Sequence, residues 1–432
     1  MYKFTRVVTS VLLSLISAGA FAQATTNSPY SAYGIGGIVA PTFVPSKGMG
    51  GLSFSMRNPD NINFANPASY NALYLTTIEA GAHGVYNKLT TSSLSENNKN
   101  FSIDHLAFGF PVGKENSSKW GMAFGMLPFS TSGYQVGTKS NLDTVQVSNN
   151  LDGDGGYSQV FIGNSVKVVK DLSVGFNISY VFGEISRTNN SEFTIPGAFN
   201  SRTTSATSVS GFNFNYGLQY VLKKGDHNLI LSYSGSPKLR LDAKTDYVSD
   251  RYVKNSQGTI IRMDTSDYHP GVKGSYLLPS QHGFGIMYQK PFKLQVGLDF
   301  QYQNWSNFEQ NDQNQGFKDA YSVILGTQYT PDITSVSKYS NRIDYRAGFS
   351  YNKSYLYLNS KNINQVQLSF GVGLPLSHQS FGGNLYTASK LNIAVELGQR
   401  GTTENDLVKE QYARLNFGLT LNDRWFVKRK FD

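Results

Sequence analysis

Long stretches of this chain alternate strictly between apolar and polar residues. Leu294, Val296, Leu298, Phe300 and Tyr302 stand on one side of such a stretch, and Gln295, Gly297, Asp299, Gln301 and Gln303 on the other. The same period of two runs through Leu172–Phe182, Phe212–Leu222, Leu391–Leu397 and Leu415–Leu421. Side chains of an extended strand point to opposite faces in turn, so each stretch carries one apolar and one polar face. Strands of soluble sandwiches usually stop after ~5 or 6 residues, whereas about ten residues tilted by roughly 45° cross a hydrocarbon layer. No backbone group can be left unpaired in lipid, so strands of this kind must close into a ring. The expected fold class is all-β, a closed antiparallel transmembrane β-barrel.

Followed along the chain, the pattern predicts strands near 72–86, 99–112, 117–132, 155–168, 171–187, 204–222, 226–244, 280–290, 293–306, 318–330, 340–353, 363–376, 388–401 and 409–422. That makes about 14, an even number, as both ends of a bacterial barrel in the periplasm require. Short turns at 113–116, 170–171, 223–226 and 289–292 alternate with long polar stretches at 87–98, 133–154, 188–203 and 245–279, as periplasmic turns alternate with extracellular loops. Two further turns, 331–339 and 377–387, are longer than the rest. Residues 23–71 lack the alternation and are rich in Gly, Pro, Ser and Asn. They fit either a disordered periplasmic arm or a folded plug in the lumen, and Ile35, Ile38, Phe43, Phe54, Ile62 and Phe64 favour the packed alternative. The organisation expected is a signal peptide (1–22), an N-terminal hatch or plug (23–71), a barrel (72–422) and a basic-aromatic periplasmic tail (423–432) with Trp425 and Phe426 at the membrane boundary.

The signal peptide rests on Lys3 and Arg6, the apolar run Val7 to Ala18 and the small-residue site Ala20-Phe21-Ala22, which together predict export by the Sec pathway. Beyond it no run of ~18 apolar residues offers a transmembrane helix. Zero Cys removes a lipidated terminus, disulfides and thiol chemistry. Mean hydropathy is only -0.32, yet 27 Tyr, 28 Phe and 42 Gly fit a barrel whose apolar positions alternate and whose aromatics gather at the interfaces. The 38 basic and 29 acidic residues give +9, and loss of Lys3 and Arg6 with the leader would leave +7. Such a balance suits anionic lipid head groups, and no basic stripe interleaved with aromatics points to nucleic acid. The cell outer membrane is the expected location, with membrane lipids and lipopolysaccharide as surroundings.

Gly48-Met-Gly-Gly-Leu-Ser-Phe-Ser-Met-Arg-Asn-Pro-Asp-Asn-Ile-Asn-Phe-Ala-Asn66-Pro67-Ala68 resembles the N-terminal hatch of the outer-membrane transporters of long-chain fatty acids and other hydrophobic compounds (FadL/TodX), which closes with Asn-Pro-Ala. Pro279, Gly283, Tyr288, Asp299 and Trp305 resemble a second signature of that family in the same order. The resemblance covers nearly all of the chain after the leader. It implies a plugged barrel that captures a hydrophobic small molecule outside, holds it in an apolar pocket and releases it sideways through a gap in its third strand. The matching strand holds Gly125, Pro128 and Phe129; proline cannot donate to a ladder and glycine permits a bulge. Ser28-Pro-Tyr-Ser-Ala-Tyr-Gly34 and the tail Asp423-Arg-Trp-Phe-Val-Lys-Arg-Lys-Phe-Asp432 depart from the better-known transporters and mark a divergent branch.

Enzymatic chemistry is not expected. His83, His105, His227, His269, His282 and His378 are scattered singly, without a His-Glu-x-x-His pair or a Gly-x-Ser-x-Gly elbow, and read as solvated loop or lumen residues. Asp152 and Asp154 in Asn150-Leu-Asp-Gly-Asp-Gly-Gly156 resemble the start of a calcium loop, but Phe161 stands where the closing Glu should be, so a tight Asp-Gly turn is the better expectation. No cofactor is implied. The leading functional reading is uptake of hydrophobic, long-chain fatty acid-like molecules through a plugged lumen. The competing one, motivated by the divergent ends and the stretch 245–279, is a non-transporting barrel that docks other outer-membrane proteins in a secretion or barrel-assembly complex.

Overall fold

The computed structural model describes residues 27–113, 119–142, 145–195, 198–255, 257–376, 379–381, 385–387 and 389–423. The expected leader, His378 and the tail residues Trp425 and Phe426 lie outside the described residues. The architecture is a closed antiparallel barrel of 14 strands. Its segments are β1 Thr76–Thr90, β2 Ser95–Val112, β3 Trp120–Leu142, β4 Val145–Val169, β5 Leu172–Phe193, β6 Asn200–Lys224, β7 His227–Ser236, β8 Leu239–Lys254, β9 Ile260–Leu278, β10 Gln281–Lys290, β11 Leu294–Gln303, β12 Ala320–Tyr329, β13 Asp344–Leu358, β14 Lys361–Pro375, β15 Lys390–Arg400 and β16 Lys409–Asp423. The ring runs β1 to β7, then β10 to β16, and closes where Thr76 of β1 faces Asp423 of β16. β8 and β9 continue β7 and β10 upward: pairing keeps one register across Pro237 and Pro279, with Gln281 opposite Ser236 and Leu278 opposite Leu239.

The alternation in the sequence becomes an apolar outer belt. Phe212, Phe214, Tyr216, Leu218, Tyr220 and Leu222 point outward and are exposed, as are Phe284, Ile286 and Tyr288 on β10 and Leu415, Phe417 and Leu419 on β16. Their polar neighbours, such as Asn213, Gln219 and Asn416, are buried inside. Connections 170–171, 225–226 and 291–293 are short and share one end, the periplasmic one by the usual polarity of such barrels.

Height differs around the ring. β4 and β6 have 25 residues each, β11 and β12 only 10. At about 3.3 Å per residue that is roughly 80 Å against roughly 33 Å. The surplus forms an extracellular sheet from β3 to β6 extended by β8 and β9. All four stretches expected as loops are largely β-ribbon: 87–98 continues the β1–β2 hairpin, 133–154 is largely the top of β3–β4, 188–203 largely the top of β5–β6, and 245–279 is mostly β8 and β9. Asp152 and Asp154 pair with Gln135 and Gly133 within the β3–β4 ladder, so neither a calcium loop nor the expected tight turn forms there.

Candidate functional site

Residues 27–75, ahead of β1, contain short 3-10 turns at Pro29–Ala32 and Pro67–Ala72, a four-residue α-helix Val44–Lys47 and the two-residue strand Gly37–Ile38. Ile35, Phe43, Phe54, Ile62 and Phe64 are all buried. What lets so much backbone approach the wall is glycine. A Cβ on Gly175 of β5 would sit 2.5 Å from the Pro67 carbonyl carbon, and one on Gly217 of β6 would sit 2.0 Å from Asn66 Oδ1. The series continues with Gly297 against Leu52 at 2.7 Å, Gly326 against Met49 O at 2.5 Å, Gly348 against Gly50 N at 2.1 Å and Gly418 against Val44 at 2.7 Å. Followed around the ring from β5 to β16, the contacts step back along the segment from Pro67 to Val44. The segment therefore follows the inner wall strand by strand, each closest approach falling where only a hydrogen atom fits.

Polar bonds fix it in place. Asp299 of β11 accepts from the backbone N–H of Ser53 (2.7 Å), Phe54 (2.7 Å) and Ser55 (3.3 Å) and from Ser55 Oγ (2.7 Å). A buried carboxylate needs such a set of donors. Asn66 caps the 3-10 turn by accepting from Ala68 N and donates to Phe54 O at 2.8 Å. Lys47 pairs with Asp104 at 2.7 Å, and Asp104 also meets His83 Nδ1 at 2.6 Å. A register shift between Gly81 and Ala82 leaves Asp104 as the extra residue of β2. At the periplasmic end Asp60 bonds Lys390, which also bonds Asp344.

Above this seat lies a chamber of about 430 Å³. Glu396, Arg414, Gln365 and Gln367 line it along with Lys47 and Asp104, and Arg414 and Glu396 form an ion pair. One corner is more apolar, with Ile38, Val39, Pro128, Phe129, Pro237 and Leu239. The wall is interrupted beside that corner. The β2–β3 ladder ends at Leu106–Met126, and the β3–β4 register slips between Pro128 and Ser130, leaving Phe129 as the bulged residue. The free edge of β3 is met by the N-terminal segment instead: Gly37 pairs with Thr131 and Ile38 with Ser130, and Val39 N–H donates to Phe129 O.

The family model BamG matches residues 1–432. The chain belongs to the BamG family. No curated protein matches it. Solved structures of similar fold include a toluene transporter of Ralstonia pickettii, TbuX (TM-score 0.59, 15% identity, 89% of this chain and 99% of that one). A FadL homologue of Pseudomonas aeruginosa follows (0.58, 12%, 89% and 98%), as does the toluene transporter TodX of Pseudomonas putida (0.56, 16%, 89% and 100%). At such identities the likeness is one of fold, that of outer-membrane hydrophobic-compound channels, and the family itself carries a different name.

In this BamG-family barrel the residues singled out in the sequence divide into groups. Asn66, Pro67, Ala68, Gly283 and Asp299 meet in the seat of the N-terminal segment, where a Cβ on Gly283 would sit 2.7 Å from the Phe54 ring. Pro279 marks the β9–β10 junction, and Tyr288 faces outward and bonds His227 at 2.7 Å. Trp305 stacks on Tyr355 at 4.0 Å near the extracellular end. Gly125 is fully paired, while Pro128 and Phe129 border the interruption. Of the histidines, His105 is buried against Phe43 rather than solvated, its ring 3.8 Å from the phenyl. Sequence reasoning missed Arg57 and the glycine series; period two places those glycines inward, and that was the available signal.

Proposed function

We propose that this BamG-family barrel is a plugged docking subunit of an outer-membrane secretion or barrel-assembly complex, with residues 27–75 as its plug. One observation carries the reading: the N-terminal segment is seated against glycines around the wall, and the chamber above it is lined by ion pairs and amides. An oily solute gains free energy by trading water for apolar surface, and in this chamber, with Lys47–Asp104 and Glu396–Arg414 in its lining, apolar surface is interrupted by charged and amide groups. The extracellular sheet supports the same reading, because Ile260, Ile261, Met263 and Tyr268 on its β9 edge are exposed to water. Extraction of the full-length protein in mild detergent is expected to bring down other outer-membrane proteins in fixed stoichiometry. A protein that always purifies alone would overturn the reading.

A second reading, uptake of fatty acid-like or other hydrophobic molecules with lateral release, is supported by the wall interruption at Pro128 and Phe129 beside the apolar corner of the chamber. It requires saturable binding of a fatty acid or hydrocarbon to the purified protein and reduced uptake in a deletion strain.

A further inference from the structure

At the periplasmic end a pocket of about 370 Å³ opens between the N-terminal segment and the strand ends. Arg57, Lys167 and Lys223 line it, with Ser173, Asn228 and Gln289 as neutral hydrogen-bonding neighbours. Among the described residues the Arg57 guanidinium donates to uncharged oxygens alone: Ala68 O and Gln219 Oε1 at 3.0 Å each and Asn71 Oδ1 at 2.5 Å. Burial pulls it down from its ordinary value to about 10. The carboxylates at the far side of the pocket, Asp60 and Asp344, are already neutralised by Lys390 and Arg346. Among the described residues lining the pocket, Asp171 alone remains to balance Arg57, Lys167 and Lys223, so its open part carries excess positive charge. A buried cation without a counter-ion is costly, and that cost falls when an anion enters.

The charge continues outside the pocket. Lys119, Lys170, Lys224 and Lys293 on or beside the adjoining turns are exposed and, among the described residues, make no ion pair; they outnumber the exposed rim carboxylates Asp226 and Asp332. This cationic field is wider than one small ion can use. We propose that the pocket and its rim bind an acidic, extended segment of a periplasmic protein, one carboxylate entering against Arg57, Lys167 and Lys223 and the following ones meeting the turn lysines. The inference rests on the docking reading and names the chemistry of one partner.

The test uses the full-length protein in a neutral detergent and two fluorescein-labelled probes, hexaglutamate and hexaglutamine, read by fluorescence anisotropy. Hexaglutamate is expected to bind and hexaglutamine not. Affinity should fall at least tenfold in the surface double variant K167Q/K223Q and in R57Q, and steadily with salt. Binding of both probes alike, no binding of hexaglutamate at low salt, or equal affinity in wild type and K167Q/K223Q would overturn the proposal. So would complete displacement of the peptide by 1:1 inorganic phosphate, which would make the pocket a small-anion site. If partners co-purify while hexaglutamate fails to bind, the pocket proposal falls and the docking reading stands; if hexaglutamate binds while no partner is ever recovered, the docking reading falls.

Discussion

Asp299 concentrates the seat of the N-terminal segment in one side chain. Replacing it by Ala leaves the N–H groups of Ser53 and Phe54 buried without acceptors, at about 1–3 kcal/mol for each orphaned donor. Asp299→Ala is therefore expected to open residues 27–75 to limited proteolysis while the barrel keeps its heat-modifiable migration on gels. An unchanged digestion pattern would show that the other contacts suffice. Gly175 makes the complementary point from the wall side. Valine suits a strand well by propensity, so any loss in Gly175→Val must come from the collision with Pro67 and Ala68, which overpacking values put at about 1–3 kcal/mol. A lowered melting temperature in Gly175→Val, and little change in Gly84→Val on β1, where an added Cβ would meet only Asn100 O at 3.9 Å, would isolate the collision from the substitution as such.

Among elements, the meeting of Gly37–Ile38 with the β3 edge decides between the two functional readings. The chain has no cysteine of its own, so Ile38→Cys with Ser130→Cys introduces one opposed pair and no background. Oxidation is expected to lock them, visible as a shift on a non-reducing gel. The lock should abolish ligand uptake if solutes leave through the interruption, and leave partner co-purification intact if the barrel docks. The membrane portions of the strands were legible from period two because lipid demands an apolar outer face. The upper part of β8 and all of β9 were read as a loop because nothing outside the bilayer imposes that demand: residues 260–270 are exposed on both faces and keep no alternation, and only Tyr276 and Leu278 at the lower end of β9 are buried in turn. The burial of Phe43, Phe54 and Phe64 in the N-terminal segment was legible, but the seat of that segment was not, since an inward glycine looks like any strand glycine until the backbone it admits is known. Arg57 was invisible for a similar reason, its meaning lying in the counter-charge it lacks.

The whole molecule is a low membrane ring on one side and a tall extracellular sheet on the other, with the N-terminal segment between them. Planar-bilayer recordings are expected to show no steady conductance from the wild-type protein, and Asp299→Ala is expected to show intermittent openings. A stable open pore in the wild type would contradict the plug.

The glycine series also constrains the order of events during assembly. With wall and segment separated by little more than a hydrogen atom at Gly217 and Gly348, a chain of some fifty residues has no clearance to thread into a finished ring. The strands are therefore expected to wrap around a segment already in position. The N-terminal segment would then be the mould on which the rest is cast. An Ile38→Cys/Ser130→Cys disulfide trapped during refolding should appear no later than the heat-modifiable form, and its appearance only afterwards would reverse that order.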